Sequence, residues 1–184
     1  MVIQFDEAKF RQLILYIAEQ CKDHPYFGAT KLNKILFFSD FIAYEKLGSP
    51  ITGAEYAALE HGPGPRRLLP IREDMLLDGD ILIEHCGSQQ RVIALHPLEM
   101  EYFSPQEREI VDSVVTALKH QDAESVSDLS HRFLGWQAAR TEFLATGQTT
   151  IIPYETIHVS NRPLDDSEMA AGRALAEKHG WHFE

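Results

Sequence analysis

The sequence predicts an α+β fold that is mainly α-helical, with one small β-hairpin in a winged-helix-like arrangement. Three observations lead to this prediction. Apolar residues recur at helical spacing through most of the chain, one helix is apolar nearly all round, and two short β-type segments follow one another closely. The 184 residues, 44% of them hydrophobic, suffice for one domain with a sizeable core. We expect this domain in residues 1–162, with a C-terminal helix in 163–184 packed on it.

Two helices should open the chain. The first, Glu7–Cys21, has Asp6 as its N-cap and one apolar face at i, i+3, i+4 spacing. The second, Lys31–Leu47, has Thr30 as its cap and Gly48 as its stop. Aromatic residues fill much of the side that most helices leave polar. This pattern is typical of a buried central helix, so we expect the second helix to be the hub of the fold.

The segment after the second helix is predicted to contain two more helices. Thr52–Glu55 has the spacing of a capping box, which indicates a short helix that continues to about Glu60. The Gly-Pro-Gly-Pro run at Gly62–Pro65 should end it. Its last proline can serve as the first residue of a further helix, Arg66–Leu77.

The remaining chain should hold the hairpin and the other helices. The strands are predicted at Ile81–His85 and Arg91–Leu95. A helix capped by Ser104 follows and runs to about His120, and the next helix covers Glu124–Phe133. Another helix restarts at Gly135 and ends before Gly147. An extended segment in 149–159, interrupted by Pro153, precedes a final helix over Asp166–His179.

Composition limits the possible locations and partners. The formal net charge is -11, which disfavours binding to phosphate backbones and favours a basic protein partner. The two isolated cysteines, Cys21 and Cys86, indicate a reducing compartment. We see no secretion signal and no apolar run long enough to span a membrane. A cytoplasmic protein is therefore expected.

Candidate catalytic groups are isolated from one another in the sequence. Cys21/His24 and His179/His182 have the two-residue gap of metal ligands, but neither pair has a second matching pair, so we expect no metal and no cofactor. Ser130 and His131 are neighbours, but adjacent residues on a helix point about 100° apart. The Gly-Pro run lacks the backbone donors of a phosphate-binding loop, because proline has no N–H. These features favour a protein without catalytic activity.

The sequence contains, in this order, the motifs Lys31–Phe38, Gly48–Gly53, Tyr56–Ala58, His61–Pro63, and Ser127–His131 with Trp136. In this order they resemble the SocA-like antitoxin family, also described as the Panacea domain. The family's Lys-Leu-x-Lys-Leu-Leu-Tyr-Phe helix has its counterpart in the second helix. The turn after the third motif departs from the family's common Gly-Pro-Val, since it reads Gly-Pro-Gly-Pro-Arg-Arg. The resemblance covers roughly residues 10–152.

The resemblance implies a non-enzymatic antitoxin that neutralises a toxin, encoded nearby, by direct binding; some relatives occur in phage-related settings. It leaves the toxin unidentified and the oligomeric state open, with a homodimer as one alternative. We expect the first contacts in the segment Thr52–Arg67 and an apolar anchor near the second helix. The residues predicted to contact the partner are Lys31, Lys34, Phe38, Thr52, Glu55, Tyr56, His61, Pro63, Arg66, Arg67, His131 and Trp136.

Two other functions stay open at the level of sequence. The first is a winged-helix-like DNA-binding regulator, whose phosphate contacts would come from Arg66, Arg67, Arg72 and Arg91. The second is a hydrolase that brings Ser130, His131 and a carboxylate together, or that activates Cys21. The acidic net charge argues against the first, and the absence of a nucleophile motif argues against the second.

Overall fold

The computed structural model describes residues 3–87, 89–159, 166–167, 169–170 and 173–174. Within these residues the fold is α+β and mainly helical, as predicted. The α-helices are α1 Glu7–Gln20, α2 Ala29–Leu47, α3 Leu68–Leu77, α4 Pro105–Leu118, α5 Ala123–His131 and α6 Leu134–Thr146. The strands are β1 Tyr56–Leu59, β2 Gly62–Pro65, β3 Ile81–Cys86 and β4 Gln89–Ala94, and short 3₁₀ helices lie at Met100–Tyr102 and Tyr154–His158.

Helix α2 is the hub of the fold, as its all-round apolar character predicted. It packs against α1, α4, α5, β2, β4 and the 3₁₀ helix at Tyr154–His158. Its Phe37 and Phe41 rings lie 4.3 Å apart between centroids, and Phe41 lies 4.6 Å from Tyr154. The helix begins at Ala29 after Gly28, so the prediction of Thr30 as a side-chain cap was wrong. It ends as predicted at Gly48, which takes the left-handed conformation at φ 77°.

Helices α1 and α4 begin at the caps that the sequence predicts. The Asp6 side chain accepts from the Lys9 N–H at the start of α1. At α4 the capping box is complete, since Ser104 Oγ accepts from the Glu107 N–H and the Glu107 carboxylate accepts from the Ser104 N–H. Helix α4 ends at Leu118, two residues before the predicted end.

The segment predicted as a short third helix is a β-hairpin. Strand β1 pairs antiparallel with β2, with Tyr56 opposite Pro65 and Leu59 opposite Gly62. The Gly-Pro-Gly-Pro run is therefore strand β2 and not a helix break. Its last proline does not start a helix either, because α3 begins at Leu68.

The other edge of β1 pairs briefly with the C-terminal part of the chain. Ala57 forms an isolated antiparallel bridge with Ile151, and the Ile152 N–H donates to the Tyr56 carbonyl at 2.8 Å. The extended segment predicted in 149–159 is thus confirmed around Ile151, and a 3₁₀ helix follows it. The predicted helix Asp166–His179 lies largely outside the described residues.

The one hairpin that the sequence predicts is present as β3 and β4, and it is slightly longer than expected. Strands β3 and β4 pair antiparallel from Ile81 opposite Ala94 to Cys86 opposite Gln89. Residues on alternate positions of β3 face inwards, so Ile81 is buried while Leu82 is exposed. The hairpin packs on α1 and α3.

Candidate functional site

Residues from distant motifs meet where α2, the β1–β2 hairpin, α5 and α6 come together. We call this site the hairpin junction and define it by Lys34, Pro63, Ser130, His131 and Trp136. Four of them belong to the set predicted to contact the partner. The junction joins motifs almost 100 residues apart in the sequence, because β2 packs against both α2 and α5.

Lys34 lies at the centre of the hairpin junction. Its side chain is 2% exposed, and its Nζ donates to the Pro63 carbonyl at 3.0 Å. Among the described residues no carboxylate lies within ion-pair distance of it. Burial without a counter-charge lowers the pKa of Lys34 to about 7. The side chain therefore holds strand β2 on α2, although burying its positive charge lowers the stability of the folded chain.

Gly62 is the point where the hairpin approaches this lysine most closely. Its φ of 97° is in the left-handed region, which favours glycine. A Cβ built there would lie 2.8 Å from Lys34 Nζ and would also collide with Ser130 Oγ. The close packing of β2 against α2 and α5 therefore depends on a residue without a side chain.

His131 and Trp136 form the outer wall of the hairpin junction. Their rings stack at 4.2 Å between centroids with 17° between planes, and Trp136 Nε1 donates to the Leu59 carbonyl at 3.2 Å. Burial lowers the pKa of His131, and the positive charge of Lys34 acts in the same direction. Trp136 thus ties α6 to the end of β1, and the stack joins α6 to His131 of α5.

A second buried polar network lies further along α2. Asp40 is fully buried and accepts from the Thr52 N–H at 2.7 Å, from Thr52 Oγ at 2.5 Å and from the Tyr56 hydroxyl at 2.7 Å. Burial raises the pKa of Asp40, while these donors act against that shift. We call this the Asp40 network. It fixes the chain between α2 and β1, so the Thr52 hydroxyl is not a helix cap.

The arginines predicted to contact a partner already have partners within the chain. Arg66 pairs with Glu55 at 3.1 Å, and Arg67 pairs with Glu7 at 2.9 Å. Both pairs are exposed, so each contributes little to stability and can exchange for an intermolecular pair. Glu55 therefore serves an ion pair rather than the predicted capping box.

Two further arginines that a DNA-binding role would use, Arg72 on α3 and Arg91 on β4, are also engaged. Arg72 donates to the Gln90 side chain at 3.2 Å. Arg91 is half-buried, donates to the Lys22 and His24 carbonyls, and lies 3.8 Å from the Glu84 carboxylate. Within the described part of the chain, Arg72 and Arg91 therefore do not form a free row of cations for a phosphate backbone.

The predicted contact residues thus fall into three groups. Five are buried and support the fold. Lys31 is one of them, and its Nζ donates to the Lys119 carbonyl at 2.9 Å. The buried residues are Lys31, Lys34, Thr52, Tyr56 and Pro63; the half-buried ones are Phe38, His131 and Trp136; the exposed ones are Glu55, His61, Arg66 and Arg67.

Phe38 faces an open apolar groove. Helix α2 contributes Phe38, Ile42 and Lys46 to it, α4 contributes residues between Ile110 and Leu118, and α5 contributes Leu129. The groove has a volume of about 310 Å³. We call it the α2–α4 groove. Phe38 therefore lies at an open apolar surface, whereas Phe37 and Phe41 are core residues.

The nucleophiles considered from the sequence are held in unreactive settings. The Ser130 hydroxyl donates to the Ser127 carbonyl at 2.7 Å, and the neighbouring His131 ring stacks on Trp136. Cys21 is buried, and this burial raises its pKa to about 11, so the thiol stays protonated. Neither arrangement pairs a nucleophile with a base.

Trp136→Phe should lower the free energy of unfolding by about 1 kcal/mol, because it removes the indole donor to Leu59 but keeps a ring against His131. Urea denaturation measures the change. Glu142→Gln, an exposed change on the same helix, is the control and should stay within about 0.5 kcal/mol of the wild type. Equal stability of Trp136→Phe and the wild type would contradict a role for this hydrogen bond.

No helix in the part of the chain that the structure describes is long and apolar enough to cross a membrane.

Comparison with known proteins agrees with the arrangement of these motifs. No curated protein and no solved structure matches the chain. The family model described as "Antitoxin SocA-like, Panacea domain" matches residues 32–137, more than half of the chain, and contains every residue of the hairpin junction. The chain therefore belongs to the SocA-like antitoxin family and carries its Panacea domain.

Proposed function

We propose that this protein is the antitoxin of a toxin–antitoxin pair and that it neutralises a protein toxin by direct binding in the cytoplasm. The observation that carries the proposal is the family match over residues 32–137. The match supports an antitoxin-type role, and the binding mechanism is our inference from the surface and the site.

The charge of the chain supports a basic protein partner. Asp and Glu number 28 against 17 Lys and Arg. Moreover, Arg66 and Arg67 on the exposed end of the β1–β2 hairpin are neutralised by Glu55 and Glu7. Such a surface steers a cationic partner during encounter and repels phosphate backbones.

The chemistry of the hairpin junction supports a role without catalysis. Its polar groups are used to hold elements together: Lys34 binds the Pro63 carbonyl, Trp136 binds the Leu59 carbonyl, and Ser130 binds the Ser127 carbonyl. A catalytic group needs a polar atom directed at a substrate in a pocket. We infer that the junction sets the shape of the hairpin that the partner meets, and that Glu55, His61, Arg66 and Arg67 make the exposed contacts there.

Co-expression with the product of the adjacent gene tests the proposal. We expect the neighbour alone to arrest growth of the host, and this protein to restore growth and to co-purify with it in a stable complex. The control is a destabilised variant of this protein at equal expression. A harmless neighbour, or growth restored without a complex, would count against neutralisation by binding.

A DNA-binding regulator receives less support. The β3–β4 hairpin is the feature that favours it, since a wing of this kind contacts the phosphate backbone in winged-helix proteins. However, Arg72 and Arg91 are bound within the chain, and the net charge of -11 opposes approach to DNA.

A further inference from the structure

The α2–α4 groove combines a buried apolar floor with an exposed apolar edge. Ile110, Val114 and Leu118 of α4 form the floor and are at most 5% exposed. Leu129 on α5 stands at the edge and is 39% exposed. Ala117 is small and exposed, so it leaves space above the floor. A groove of this form accepts the ridge of side chains on one face of a helix.

The groove belongs wholly to the part of the chain that defines the family. All its lining residues, from Phe38 to Leu129, lie within residues 32–137. Four other surface cavities each include residues outside that region, such as Tyr16, Arg11, Asp6 or Tyr26. An activity common to the family is therefore better placed in the groove than in those cavities.

The charges of the chain indicate what kind of helix the groove receives. Glu45 on α2 and Glu109 on α4 are exposed, lie one turn from the lining residues Ile42 and Ser113, and form no ion pair among the described residues. Lys46 is the cation of the lining. The local flanks are therefore mixed, whereas the chain as a whole carries a net charge of -11. Long-range attraction selects a basic partner, and the apolar floor then seats it.

We propose that the α2–α4 groove is the docking site for one amphipathic helix of the basic toxin, with the apolar face of that helix on Ile110, Val114 and Leu118. This inference rests on the proposed function and adds the surface and the structural class of the segment it binds. The β1–β2 hairpin then supplies peripheral contacts, and the groove supplies the apolar anchor that dominates affinity.

Two substitutions at the exposed edge test the groove without disturbing the core. Ala117→Glu and Leu129→Glu each place a carboxylate where the apolar face of the toxin helix would lie. Matched controls are Thr116→Glu, on the same helix but outside the groove lining, and Leu144→Glu, a 71% exposed leucine on α6. We expect each groove variant to weaken toxin binding at least about 10-fold by calorimetry and to lose growth rescue, because a buried unpaired carboxylate is costly. Urea denaturation should show both pairs equally folded.

The outcomes separate this inference from the proposed function. If the wild type neither binds the neighbouring gene product nor restores growth, the proposed function fails and the docking site fails with it. If the wild type binds and all four variants bind equally well, the antitoxin role stands and the groove is the wrong surface. Selective loss in the two groove variants supports the proposal.

Photo-cross-linking tests whether the segment that the groove binds is a helix of the toxin. A photo-reactive amino acid introduced at Leu129 should cross-link to a toxin helix with apolar residues at i, i+3, i+4 and i+7. The same residue introduced at Leu144 should give no such product. Cross-links from Leu129 to a toxin loop or strand would overturn the proposal, as would cross-links that join two antitoxin chains instead.

Discussion

Replacing Asp40 with alanine is expected to lower the free energy of unfolding by about 4 kcal/mol. The carboxylate is fully buried and accepts three hydrogen bonds, two from Thr52 and one from Tyr56. Its removal leaves all three donors without an acceptor in a site that water does not reach, and each orphaned donor costs about 1–3 kcal/mol. The loss of the buried charge offsets part of that cost. Urea denaturation followed by circular dichroism measures the change.

A graded set of variants distinguishes the network from a general packing defect. Tyr56→Phe removes one donor and keeps the ring, so a loss of about 1 kcal/mol is expected. Asp40→Asn keeps acceptor capacity at one oxygen and should lie between Tyr56→Phe and Asp40→Ala. If Asp40→Ala were no less stable than Tyr56→Phe, the network would not be holding the chain between α2 and β1.

Local signals in the sequence were sufficient where an element depends on its own residues. The Ser104 capping box predicted the start of α4, Gly48 predicted the end of α2, and the all-round apolar character of α2 predicted its central position. In each case the cause lies within one turn of helix or in the pattern of a single element. The β3–β4 hairpin is likewise a local structure.

The β1–β2 hairpin could not be found in this way, because long-range contacts determine it. Thr52–Glu55 has the spacing of a capping box, but Asp40 binds the Thr52 hydroxyl and Arg66 pairs with Glu55. Tyr56–Leu59 is acceptable as helix, yet it pairs with Gly62–Pro65 on one edge and with Ile151 on the other. The available clue was the two-residue gap between the segments, followed by a glycine.

The candidate site was predicted only in part, because long-range contacts determine it as well. Family motifs pointed to Lys34, Pro63, His131 and Trp136, and the structure brings these four together. Asp40 was missed, although an acidic residue inside an otherwise apolar helix is itself a signal of a buried partner. The α4 and α5 walls of the α2–α4 groove could not be assigned, because periodicity does not say which helices are neighbours.

Lys34 makes the native state of this protein sensitive to pH in an unusual direction. In the folded chain its pKa is lowered to about 7 by burial, from a usual value near 10.5. Between these two values the unfolded chain binds more protons than the folded chain, so stability rises with pH. The cost of burying the lysine is fully present below pH 7, at roughly 5 kcal/mol, and disappears as the pH approaches 10.5. Cys21 acts in the opposite direction only above about pH 9, since burial raises its pKa.

Lys34→Met should therefore stabilise the protein at pH 7 by about 2 kcal/mol, and this gain should largely vanish at pH 9. The methionine fills similar space and removes the cost of burying a charge, while leaving the Pro63 carbonyl without its donor offsets part of the gain. The measurement is urea denaturation of both proteins at pH 7, 8 and 9, where the difference isolates Lys34 from the other titrating groups. Lys22→Met, at an exposed lysine, is the control and should give the same difference at each pH. The prediction is contradicted if Lys34→Met is less stable than the wild type by the same amount at pH 7 and at pH 9. In that case the hydrogen bond to Pro63, and not the buried charge, decides the stability of the hairpin junction.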